Sequence, residues 1–94
     1  MLQALIRTVK YDTSVDVRLA AVDALARYSA QPEVRTGIVD ALAAPQSPLV
    51  HLALIDLAVD ARVTQAQGVL RNIENNPDMN RYVRERANWG LQQF

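Results

Sequence analysis

The chain has 94 residues, half of them hydrophobic and 5% aromatic, with ten basic and ten acidic side chains and no cysteine. That length leaves room for one domain, and the even charge balance removes any strong general attraction to nucleic acid or an anionic membrane. Disulfides, cysteine nucleophiles and thiolate metal sites are excluded.

Leu2, Leu5, Ile6 and Val9 have helical spacing, which predicts a helix over 2–11. Asp12-Thr13-Ser14 reads as a turn ending in an N-cap, with a second helix over 15–29. With Val17 set at zero and 100° per residue, Val17, Ala21, Ala24, Leu25 and Tyr28 share one face, expected to pack on the partner helix. Val15, Leu19, Val22 and Ala26 form a second apolar face, and Asp16, Ala20, Asp23 and Arg27 are left for solvent. Pro32 suits the first turn of a helix over 32–43. Ser47-Pro48 is a cap and a first-turn proline ahead of a helix over 48–60. A third pair is predicted over 64–75 and 80–92. Val69, Leu70 and Ile73 match Ile38, Val39 and Leu42 with a shift of 31, so the loop Asn75-Asn76-Pro77-Asp78-Met79 must be two residues longer than its counterpart.

The second helices repeat with a period of 33. Val17, Val50 and Val83 fall in register, as do Arg18, His51 and Arg84, then Ala21, Leu54 and Ala87, then Leu25, Ala58 and Leu91. Ser14, Ser47 and Asn80, three residues before each valine, are all good caps. A period in this range marks a stacked helical array. The expectation is an all-α single domain over 1–94, built from three hairpins at about 1–30, 31–61 and 62–94. Leu52, Ile55 and Val59 continue the second apolar face, but Arg81, Glu85, Asn88 and Gln92 make it polar in the third hairpin. A terminal repeat needs a wet outer surface, so residues 80–94 read as a C-terminal cap.

Residues 1–60 carry five basic and seven acidic side chains, and residues 61–94 carry five and three. No apolar run reaches the roughly 20 residues needed to span a bilayer. Arg7 and Lys10 interrupt the first apolar stretch, which is therefore no signal peptide. Met1 leads directly into an uncapped amphipathic helix, and the chain is expected to be a piece of a longer one.

The run Val17-Arg18-Leu19-Ala20-Ala21-Val22-Asp23-Ala24-Leu25 resembles the second helix of a HEAT repeat, and so does Val83-Arg84-Glu85-Arg86-Ala87-Asn88-Trp89-Gly90-Leu91. The middle repeat departs from that pattern at His51 and Leu54. The resemblance implies a right-handed α-α superhelix, a HEAT-like solenoid of about six helices, with the second helices lining the concave side. It also implies that Arg18 and Arg84 reach acidic or carbonyl groups of a neighbouring repeat. The stretch 47–57 with 84–91 is similar, more narrowly, to the C-terminal HEAT region of bacterial membrane-anchored proteins that resemble zinc-finger anti-sigma factors. That would make this chain a soluble fragment, either cytoplasmic or the extracytoplasmic part of an inner-membrane protein, with no membrane contact of its own.

Under that arrangement the solvent strip becomes a candidate protein-binding surface: Asp16, Asp23, Leu49, Asp56, Asp60, Tyr82, Arg86 and Trp89. Tyr82, Arg86 and Trp89 are spaced i, i+4, i+7 on one helix face, and these residue types are enriched in binding hot spots. The bland alternative is that Trp89 simply covers the last repeat. His51, the only histidine, could sense pH or bind a metal, but no second ligand accompanies it, and substitution for the repeat's arginine is the better account. Asp23 and Asp56 could form a carboxylate pair, yet no nucleophile or phosphate loop accompanies them. Asn75-Asn76-Pro77-Asp78 lacks the ligand order of a calcium loop and reads as a turn.

The reading is a non-catalytic scaffold for a protein or peptide partner, with no cofactor, metal or nucleic acid. The alternatives are a HEAT-like enzyme of the bilin-lyase or DNA-alkylation-repair type, or a purely structural cap on a larger solenoid. A DNA enzyme would need a basic inner face, and Asp16, Asp23, Asp56 and Asp60 oppose it.

Overall fold

Three of the predicted helix starts are secured by side-chain caps. Ser14 Oγ accepts from the Val17 N–H at 3.3 Å, and Ser47 Oγ accepts from the Val50 N–H at 3.3 Å. Asn80 Oδ1 accepts from Tyr82 and Val83 at 2.8 and 3.2 Å. Each such cap stabilises its helix by about 1 kcal/mol. The computed structural model describes all 94 residues as six α-helices with no strand. They are α1 Leu2–Tyr11, α2 Val15–Ala26, α3 Pro32–Ala43, α4 Pro48–Asp60, α5 Gln67–Glu74 and α6 Arg81–Gln92.

Two ends differ from the sequence reading. α2 stops at Ala26 instead of running to 29, because Arg27, Tyr28 and Gln31 donate to carbonyls three residues back and tighten the chain into turns. The third pair opens with a 3-10 turn, Thr64–Ala66, before α5 begins. That tighter winding rotates α5, so the shift of 31 does not superpose burial: Ile38 is fully buried but Val69 only half. At a shift of 32 the fully buried Val34 and Ile38 coincide with Ala66 and Leu70. The six residues between α5 and α6 do exceed by two the four between α3 and α4.

Helix α1 packs on α2 and α3, α3 on α4 and α5, and α5 on α6, while α2 packs on α4 and α4 on α6. The odd helices thus form one layer and the even helices the other. The thin dimension of the molecule, 15 Å of 34 × 27 × 15 Å, is what two helix layers with axes about 8–10 Å apart require. Leu25, Ile38, Leu42, Leu54, Ile55 and Leu70 are fully buried between them. Close approach needs small residues at two points. A Cβ on Gly90 would lie 3.3 Å from Ile55 and 3.4 Å from Val59, and one on Gly37 would lie 2.6 Å from Ile6.

The expectation for the inner face of α2 holds only in part. Ala21 and Leu25 are buried, but Val17 and Tyr28 are 45% and 37% exposed. Val50 and Val83, in register with Val17, are 0% exposed. The face centred on Ala21 and Leu25 meets α1, and the Val17 edge points away from it. In α4 the equivalent edge turns to α2, and in α6 it turns to α4, where Gly90 meets Ile55 and Val59. No helix lies beside the Val17 edge of α2. On the far side of the layer Arg81, Glu85, Asn88 and Gln92 are exposed, the polar outer face expected of α6.

Candidate functional site

Because α2, α4 and α6 lie side by side, their solvent-facing positions align into one strip. Asp16, Asp23 and Asp60 are exposed there, and Leu49 and Tyr82 are each 61% exposed. Asp56, Arg86 and Trp89 are half-buried. These three are drawn together. Arg86 Nε donates to Asp56 Oδ1 at 2.7 Å, joining α6 to α4. The same guanidinium lies 3.7 Å from the centre of the Trp89 ring, well inside cation–π range.

The other strip residues are not gathered into that cluster. Tyr82 sits beneath Arg81, 5.1 Å from its ring centre, with a 3.3 Å bond from Arg81 Nη2 to the phenol oxygen. Asp16 and Leu49 make no side-chain bond. Asp23, Asp56 and Asp60 line one cleft between α2 and α4, floored by Val22, Ala26, Ala53 and Leu57. Its rim is acidic and its floor apolar. Asp56 is engaged by Arg86 rather than paired with Asp23. No group of three His, Cys, Asp or Glu side chains is placed to hold a metal ion.

His51 is far from this chemistry. It is 3% exposed, and its Nε2 donates to the Leu42 carbonyl at 3.1 Å. Burial pushes its pKa below the ordinary value, the bond to Leu42 opposes that, and the Arg18 charge lowers it further. Arg18, one repeat earlier, donates from Nε to Val9 at 2.9 Å and from Nη2 to Lys10 and Pro45 at 3.1 and 3.2 Å. It also donates to the Gln46 side chain. The expected role of the repeat arginine, holding carbonyls around a turn and reaching the next hairpin, is met at Arg18. His51 keeps the first part and lacks the reach for the second. Where it falls short, a hollow of about 370 Å³ opens among Leu42, Pro45, Val69, Ile73 and Met79. Arg84 keeps neither contact, and its buried Nε has no partner.

Two arginines that the sequence reading passed over tie the turns at the other end of the hairpins. Arg35 Nη1 donates to the Ser29 and Ala61 carbonyls at 3.3 and 2.8 Å, and its Nη2 to Arg62. Arg62, with φ of 54°, donates to the Gln93 carbonyl at 2.6 Å. At the repeat shift of 33, Arg35 meets Gly68 and Arg62 meets Ser29, so the repeat period carried no signal for either arginine. No helix is long and apolar enough to cross a membrane. Comparison of the chain with family models, curated proteins and solved structures finds no match.

Proposed function

We propose that this chain is a non-catalytic protein-interaction module, a right-handed HEAT-like solenoid of three hairpins that binds a protein or peptide segment along the exposed strip of α2, α4 and α6. The observation that carries the reading is the arrangement at the strip's centre. An acidic cleft with an apolar floor, bounded by Asp23, Asp56 and Asp60, lies beside the Arg86–Trp89 stack. Free carboxylates at Asp23 and Asp60 suit basic side chains of a partner, and the stacked Trp89 gives a rigid, half-buried anchor of the kind that dominates binding energy. Nothing in the strip activates a nucleophile or places an acid–base pair, so recognition is the chemistry it supports. The narrower proposal, a regulatory domain of an anti-sigma-factor-like transmembrane protein, rests on the resemblance of 47–57 and 84–91 alone.

Affinity capture with the wild-type chain, Trp89→Ala and Asp56→Lys tests this. The expected result is a partner recovered by the wild type and lost by both variants while their circular dichroism stays native. Equal recovery by all three removes the strip from consideration. A mobility shift with duplex DNA at ordinary salt would instead revive the nucleic-acid enzyme reading, because acidic side chains on this surface should repel phosphate.

A further inference from the structure

The hollow between the second and third hairpins has one unengaged polar atom at its floor. His51 is 3% exposed, and its Nε2 bonds to the Leu42 carbonyl at 3.1 Å. A carbonyl only accepts, so Nε2 carries the proton and Nδ1 keeps a bare lone pair. The lowered pKa keeps the ring in that neutral form at pH 7. Nδ1 bonds to no group of the protein. It is not sealed in either, since among side chains that are not exposed only Arg84 Nε is both sealed and unbonded. The opening that His51 lines is the hollow, whose walls are Leu42, Val69, Ile73 and Met79. Gln46 is engaged already: its Nε2 donates to the Ala41 carbonyl at 2.9 Å and its Oε1 accepts from Arg18. No lining residue carries a formal charge.

We propose that this hollow binds a small neutral aromatic molecule carrying one hydroxyl or N–H donor. The donor bonds to His51 Nδ1 and the ring lies among Leu42, Val69, Ile73 and Met79. The volume of about 370 Å³ falls at the lower end of ligand pockets, roughly 300–1,000 Å³, and suits one small ring. Water at the floor faces apolar walls on most sides, so a ligand that displaces it and still satisfies Nδ1 gains on both counts. The flexible thioether of Met79 adapts to the edge of a ring. Nδ1 can accept but not donate, so a carboxylate or phosphate finds no donor at the floor, and no acidic side chain in the lining waits for a cation. Both sides of the hollow belong to adjoining hairpins, α3–α4 and α5–α6. It shares no residue with the strip, so either proposal can fail alone.

Phenol and toluene, titrated separately into the wild-type chain and followed by NMR, test this without any variant. Phenol should shift the methyl signals of Leu42, Val69, Ile73 and Met79 saturably, with a dissociation constant on the order of 1 mM, as suits a ligand of few atoms. The His51 Nδ1 resonance should move towards its hydrogen-bonded value in the same titration. Toluene has the same size and is more apolar, yet should bind about two- to tenfold more weakly, the difference one hydrogen bond makes. In a hollow that offered only apolar contact that order would reverse. Val69→Phe, which places a ring in the hollow from its half-buried wall, should abolish the phenol shifts while circular dichroism stays native. No saturation by about 10 mM phenol would leave the site to water and overturn the proposal. So would toluene binding as tightly as phenol, or an Nδ1 resonance that stays still while the methyl signals move. Tighter binding of N-acetyl-tyrosinamide than of phenol would assign the hollow to a partner's tyrosine instead and would overturn it too.

Discussion

His51 Nε2 holds the Leu42 carbonyl at 3.1 Å, and each residue stands 33 positions beyond its counterpart in the 2.9 Å bond from Arg18 Nε to Val9. One hydrogen bond at the end of the first helix is thus kept while the residue that makes it changes. The replacement brings a titratable group into the core, with pH consequences. Burial lowers the folded pKa of His51 from its ordinary 6.5. Above that value the ring is neutral in both folded and unfolded chains and contributes no pH dependence. Below it, the unfolded chain takes up a proton that the fold resists, so stability falls with pH and levels off once the folded ring also protonates. Thermal melts from pH 7.5 to 5.5 should show this decline, and His51→Gln should flatten it. An equal slope in the variant would contradict the assignment.

Leu54 is 0% exposed at the centre of α4. Leu54→Asp buries a carboxylate with no partner and should cost several kcal/mol, about the whole stability of a domain this size. Circular dichroism should report an unfolded chain at 25 °C. Asp16→Lys, at an exposed position, should leave the melting temperature essentially unchanged.

The three glycines should respond with different signs. Gly68 has nothing within 4 Å of an added Cβ, so Gly68→Ala should stabilise α5 by about 0.5–1 kcal/mol. Gly90→Leu must displace Ile55 and Val59, at a cost of about 1–3 kcal/mol. Gly37→Ala meets Ile6 at 2.6 Å. It should fail to gain the stability that Gly68→Ala gains, and Ile6→Val should not rescue it, since valine keeps the Cγ1 that would lie 2.7 Å from the new Cβ. Denaturant melts of the set would rank them.

Arg35→Ala leaves the carbonyls of Ser29, Ala61 and Arg62 without their shared donor. Bonds to a charged donor contribute about 1.5–3 kcal/mol each in favourable cases; here water can reach part of the site, so a total near 2 kcal/mol is expected. Arg35→Lys should recover little, since a point ammonium cannot span two turns as the guanidinium fork does.

Asp56→Ala should behave oppositely to Arg35→Ala. Both partners of the Asp56–Arg86 pair are more than a third exposed, where an ion pair is worth about 0–1 kcal/mol. Folding should hardly change while capture of a partner weakens. A loss of several kcal/mol would mean that the pair serves the fold rather than the strip.

The helices, their caps and their number could be read from the residues, because capping and 3.6-residue periodicity act over a few neighbours. Ser14, Ser47 and Asn80 bond as their types predict, and the polar outer face of α6 follows from four side chains. The composition of the strip was legible for the same reason, since a face is a count of 100° steps. Which strip residues meet was not. Arg86 chose Asp56 across a helix gap while Tyr82 went to Arg81, and distance between helices decided both. Val17, Val50 and Val83 are one residue type in one register, yet only two of them are buried, because burial depends on what lies alongside. Periodicity specifies what each helix can offer. Only packing of the layers determines which offers are taken up, since the contacts are made by residues about 30 positions apart.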